Sequence, residues 1–118
     1  MSRRTERIAE QVQSELARVL REEATDPRIG LVTITRVDVA PDLSHALVLW
    51  SVLASHDPAA VARVEAGLES AAPFLRRCLA QALPLRRMPE LRFRFDPSLA
   101  LGSQTLRVLR EIEEDEPA

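Results

Sequence analysis

Six arginines crowd the stretch between positions 76 and 94: Arg76, Arg77, Arg86, Arg87, Arg92 and Arg94, opposed by Glu90 alone, for a local charge of +5. The guanidinium is a planar fork whose donors match phosphate oxygens two at a time. A cluster of such forks makes a local field that draws in polyanions. The whole chain nevertheless carries a net charge of −2. The difference lies at the C-terminus, where Glu111, Glu113, Glu114, Asp115 and Glu116 follow one another without a base. Residues 1–110 hold sixteen bases against thirteen acids, a net +3. The chemistry suggested is therefore binding of a nucleic-acid backbone by one basic region, with an acidic tail that is expected to be frayed and solvated. That tail could also mask the basic surface until a stronger polyanion displaces it.

Other chemistries find little support. Lysine and tyrosine are absent, so there is no lysine Schiff base, no phosphate-binding Walker lysine and no tyrosine acid. One cysteine and two histidines give no metal-ligand pattern, and no metal site or cofactor is expected. Cys78 falls at an apolar helical position and reads as a buried structural thiol. Asp42, Ser44 and His45 are close in sequence, but neighbouring strand residues point to opposite faces and hydrolytic triads join spatial neighbours. Asp26, Asp38, Asp42 and Asp57 show no spacing that favours a magnesium nuclease. The chain reads as a non-enzyme with no small-molecule substrate. Its N-terminus lacks the apolar segment of a secretory signal, and no apolar run approaches the ~20 residues of a membrane span, so a soluble, monomeric cytoplasmic protein is expected.

The elements that must carry these arginines can be read from apolar spacing. Ile8, Val12, Leu16, Val19 and Leu20 form one helical stripe, predicting a helix from Ser2 to Ala24 with Ser2 as cap and Asp26-Pro27 as stop. Arg3, Arg4 and Arg7 then sit at the positive end of that helix, where an anionic partner would relieve them. Strands are predicted over Leu31–Val39 and His45–Leu53, joined by a Pro-Asp turn as an antiparallel hairpin. Ala46, Val48, Trp50 and Val52 should face the core. Asp57-Pro58 opens a second helix. Its stripe (Val61, Val64, Leu68, Ala71, Leu75, then Cys78 or Leu79, then Ala82) keeps phase across Pro73, which implies a kinked helix or two helices end to end. Pro84 closes it. Leu91, Phe93 and Phe95 alternate with Arg92 and Arg94, predicting a strand with one apolar and one cationic face. Ser103–Ile112 suggests a last short helix. The expected fold class is α+β, one domain over 1–110, ordered α-β-β-α-kink-α-β-α, with helices on one face of a three-stranded sheet.

Several segments together resemble the ribosome-binding factor A family: EEATDPRIGLVTITRVDVAPDLSHALVLWSV, AAPFLRRCLAQALPLRRMPEL and FDPSL. The resemblance covers nearly all of residues 3–112 and rests on Asp26-Pro27-Arg28, Asp42-Leu43-Ser44, Leu85-Arg86 and Pro89-Glu90-Leu91. It implies a type II KH-like domain in which a helix-kink-helix replaces the usual glycine loop. It implies binding to the free small (30S) ribosomal subunit and its 16S rRNA. It further implies help with late maturation and 5′-end processing, of particular importance in the cold. The family's kink triplet, Ala-x-Gly, matches Ala71-Ala72-Pro73, so proline stands where glycine is expected. KH domains clamp nucleotide backbone beside a helix end. Arg76 and Arg77 would add side-chain forks there, with Arg86, Arg87, Arg92 and Arg94 around them. Of the four aromatics, Trp50, Phe93 and Phe95 look core-directed, leaving Phe74. Recognition of folded rRNA by phosphate and shape is the expectation, not readout of a single strand. A protein–protein adaptor, and less so an endoribonuclease, are the alternatives.

Overall fold

The computed structural model describes residues 3–23, 27–29, 32–52 and 57–97. Helix α1 spans Arg3–Glu22, strand β1 Val32–Val39, β2 His45–Val52, helix α2 Pro58–Ala82 and β3 Glu90–Phe95, with a short 3₁₀ turn at Pro27–Ile29. The sheet order is β1-β2-β3, with β2 antiparallel to β1 and parallel to β3. The parallel pair requires a crossover, which α2 supplies. The α+β fold and the three-stranded sheet are as the sequence predicts. Ser2, Ala24, Asp26, Leu31, Leu53 and the Ser103–Ile112 helix lie outside the described residues, as does the acidic tail.

Each helix buries one stripe. In α1 it is Ile8, Val12, Leu16, Val19 and Leu20, and in α2 it is Val64, Gly67, Leu68, Leu75 and Leu79. Between them and the sheet lie Ala46, Val48, Trp50 and Val52, all buried, with Val37, Val39 and Leu91 beside them. Trp50 is wholly buried and meets the Phe95 ring edge-on, centroids 5.3 Å apart. Gly67 is part of this packing. A Cβ there would come within 2.9 Å of Ile29 Cγ2 and 3.1 Å of Arg28 Cβ, so the absent side chain lets α2 lie close to the 3₁₀ turn.

The structure decides between the alternatives for α2 and corrects one position of its stripe. Leu79, not Cys78, takes the core position, and Cys78 is half-buried at its edge. Ala82 is exposed. Pro73 lies inside one continuous helix, so the alternative of two separate helices does not hold. The ends are set as expected. Asp57 caps α2, its Oδ1 accepting from the Ala59 N–H at 3.2 Å, and Pro58 follows at the first turn. Leu83 ends the helix in an extended conformation, as the residue before a proline must tend to do.

The hairpin turn holds a surprise in Leu43, which adopts φ 62°, the left-handed region that disfavours a branched side chain. Its N–H donates to the Ala40 carbonyl at 2.8 Å, and its side chain packs against the core. Asp42 Oδ1 stiffens the turn by accepting from the Ser44 N–H at 3.1 Å and hydroxyl at 2.7 Å. A register shift between Ile34 and Arg36 sets Thr35 apart on β1, and its hydroxyl donates to Asp96 Oδ2 at 2.6 Å.

Candidate nucleic-acid interface

The basic region is built from the second half of α2, the connection 83–89, and β3. The connection is pinned at its ends. Leu85 N–H donates to the Leu83 carbonyl at 2.9 Å, and Met88 and Pro89 are buried. Arg86 and Arg87 between them are exposed. Burial of the flanking residues thus presents two adjacent guanidinium groups to solvent on a short, fixed span. Arg76 reaches across from the helix, its Nη2 donating to the Met88 carbonyl at 2.9 Å. That bond joins α2 to the residue pair that precedes β3. Pro73, Arg76, Arg77, Ala80 and Met88 line a cavity of ≈ 350 Å³ between helix and connection.

These arginines are not all on one surface. On β3, Leu91, Phe93 and Phe95 pair with Ala46, Val48 and Trp50 on the core side. Arg92 and Arg94 pair with Leu47 and Leu49, so strand alternation puts them on the sheet face away from the helices. Arg76 and Arg77 belong to the helical layer. Arg86 and Arg87 stand at the end of the molecule between the two. Leu83 lines a shallow cleft with Glu10, Gln11 and Ser14 of α1, and Glu90 N–H bonds the Ser44 carbonyl at 3.0 Å. The first turn of α1, with exposed Arg3, Arg4 and Arg7, therefore extends past the end of α2 toward that same end. The basic residues wrap one end and two flanks of the domain.

Their state of pairing is the informative property. Among the described residues, Arg77, Arg86, Arg87, Arg92 and Arg94 form no ion pair, while Arg18 on α1 is held by three carboxylates. It meets Glu15 at i−3, Glu22 at 3.0 Å and Glu23 at 3.6 Å. Its hydrogen bonds to Glu15 and then to Glu22 push its pKa above the ordinary arginine value. Unpaired guanidinium groups keep all their donors for a ligand; a clamped one does not.

Asp42, Ser44 and His45 do meet, contrary to the sequence expectation. The Ser44 hydroxyl lies 2.7 Å from Asp42 Oδ1 and 3.0 Å from His45 Nδ1. Serine is the middle member, whereas a hydrolytic triad needs the histidine between serine and acid. The arrangement braces the hairpin instead, and the Ser44 hydrogen bonds lower the Asp42 pKa below its usual range. Burial, followed by the nearby Glu23 charge, raises the Cys78 thiol pKa, which keeps it protonated and unreactive. Among the described residues no group of three or more His, Cys, Asp or Glu could hold a metal ion. No described helix is long and apolar enough to cross a membrane.

An α+β fold, with two long helices among the described residues and exposed arginines at one end and on its flanks, is the architectural class. The model of the family "Ribosome-binding factor A" matches residues 4–109. Relatives called ribosome-binding factor A include one from Pseudomonas putida, 46% identical over 113 residues, covering 95% of this chain and 86% of the relative. Another, from a Marinomonas species, is 47% identical over 115 residues, covering 96% and 89%. Among solved structures, the ribosome-binding factor A of Thermus thermophilus aligns with a TM-score of 0.68 at 24% identity, covering 77% of this chain and 93% of that one. A Thermus homology model fitted into the map of a complex with the 30S subunit aligns with a TM-score of 0.60 at 26% identity, covering 75% and 91%. The chain belongs to the ribosome-binding factor A family.

Proposed function

We propose that this chain binds the free small (30S) ribosomal subunit and assists late maturation of 16S rRNA, including its 5′-end processing. It acts in the cytoplasm as a monomer, by binding and not by turnover, and needs no cofactor. The observation that carries the reading is the crowding of exposed arginines without ion pairs among the described residues on the second half of α2, the connection and β3: Arg77, Arg86, Arg87, Arg92 and Arg94. A fitted relative belongs to a complex with the 30S subunit, which supports the choice of partner. Phosphate contacts of this kind position a protein on a folded RNA without reading its sequence. Arg3, Arg4 and Arg7 would extend the contact around the end of α1, and Arg76 would contribute the donors it does not spend on Met88.

The experiment is co-sedimentation with free small subunits over a salt series, with residue-level cross-linking of the bound state. Binding should weaken steeply with salt, since each neutralised phosphate contributes roughly 0.7–0.9 to the logarithmic slope. Cross-links should fall on the connection 83–89 and its flanks. Salt-insensitive binding, or cross-links confined to ribosomal proteins, would reject the reading in favour of an adaptor.

A further inference from the structure

Phe74 is the one large apolar side chain that is exposed among the described residues, at 38%. A single exposed apolar residue needs no explanation by itself. Its surroundings supply one. Of the positions that share its helix face, Ser70, Arg77 and Gln81 at i−4, i+3 and i+7 are exposed, while Ala71 and Cys78 at i−3 and i+4 are half-buried against the core. The ring therefore stands exposed between two small half-buried residues and a polar, basic surface, with no second large apolar side chain exposed among the described residues. Arg77, one turn on, also borders the ≈ 350 Å³ cavity with Pro73, Arg76 and Met88. Pro73 brings a third group. Having no N–H, it leaves the Glu69 carbonyl without its i+4 donor, and both residues are exposed.

A flat π-face, an unpaired guanidinium and an open backbone acceptor make a set that fits one unpaired nucleotide. The base lies on the ring, its phosphate meets the guanidinium, and an amino group or a 2′-hydroxyl donates to the carbonyl. A duplex cannot use the ring, because its bases are already stacked, and the local charge of +5 selects a polyanion over a neutral peptide. We propose that Phe74 stacks an unpaired nucleobase of the bound RNA while Arg77 holds its phosphate. This rests on the RNA-binding reading above and adds single-strand recognition to the shape and phosphate recognition expected from the sequence.

The test compares Phe74→Leu, which keeps apolar bulk without the ring, with Phe74→Trp, which keeps a stacking face. Both are measured against the parent for affinity to free small subunits and for thermal unfolding. The leucine variant should bind about tenfold more weakly with the parent's salt slope, and the tryptophan variant should recover most of that loss. A photoreactive phenylalanine analogue in place of Phe74 should cross-link to an unpaired rRNA nucleotide. Leucine binding as tightly as the parent, tryptophan doing no better than leucine, or a cross-link to a ribosomal protein would each overturn the stacking role. Failure of the underlying reading looks different: the parent itself would then bind without salt dependence and be indifferent to Arg77→Glu.

Discussion

Arg18 and Arg77 are the same residue type on adjacent helices of one small domain, and they lead opposite lives. Arg18 sits among Glu15, Glu22 and Glu23, three acids placed by helical spacing and by the end of α1. Arg77 sits past Pro73 with no acid to answer it among the described residues. The first arrangement is internally neutralised and spends most of its donors on its own carboxylates. The second stores uncompensated charge at the surface, which costs the isolated protein a little repulsion and gains a partner of opposite sign. The contrast teaches that counting arginines does not locate a binding surface; the crowding of arginines left without acids does.

The largest expected effect comes from reversing the unpaired set. Replacing Arg77, Arg86, Arg92 and Arg94 by Glu should weaken binding to free small subunits by about a hundredfold or more and lower the logarithmic salt slope by roughly 3. Unfolding should change little, since none of the four is paired. A melting loss in step with the binding loss would break the comparison.

Arg76 should behave as an intermediate case. Its bond to the Met88 carbonyl means that Arg76→Ala removes a charged hydrogen bond, with an expected stability loss of about 1.5–3 kcal/mol in denaturant titration. This also changes how Arg76→Glu must be read. A variant of that residue weakens binding partly by releasing the connection that carries Arg86 and Arg87, so it is a poorer probe of contact than Arg77.

Arg18→Ala should lie at the other extreme. The side chain is 38% exposed, so its ion pairs are screened, and little loss of stability with unchanged subunit binding is expected. A binding defect in that variant would show that paired arginines also serve the ligand. The smallest effect concerns Asp42. Its pKa is lowered first by the Ser44 hydroxyl, so its stabilising share is fully present above the unfolded carboxylate pKa and fades as pH falls through the folded value. Ser44→Ala should move the Asp42 carboxyl titration upward, read by carbon NMR, and leave RNA binding unchanged.

Much of the architecture was legible because it depends on local rules. The Asp57-Pro58 start, the Leu83 stop before Pro84, and the alternation of Leu91, Phe93 and Phe95 with arginine each follow from a few neighbouring residues. The stripe of α2 was legible except at its end, where Ala82 is exposed. What could not be read were contacts between distant segments: Arg76 with Met88, Thr35 with Asp96, and the close approach of Gly67 to Ile29. Those depend on how the layers meet, which spacing along the chain does not encode. The clamp on Arg18 was in principle visible, since Glu15 and Glu22 stand at i−3 and i+4. Phe74 stands out in the sequence as the remaining aromatic, but its exposure beside Arg77 needed the helix to be placed.

The strand that carries Arg92 and Arg94 has its hydrogen-bonded partners far back in the chain. Glu90 reaches Ser44, Asp96 reaches Trp50, and Thr35 reaches Asp96 across 61 residues. Closing so long a loop is entropically costly and is deferred until α2 has formed and brought its ends together. The hairpin and the helices can assemble on local contacts, so β3 is expected to dock late. A growing chain then lacks its finished cationic flank until the sheet is complete. Order of assembly thereby delays a sticky surface until the molecule that should bear it is folded.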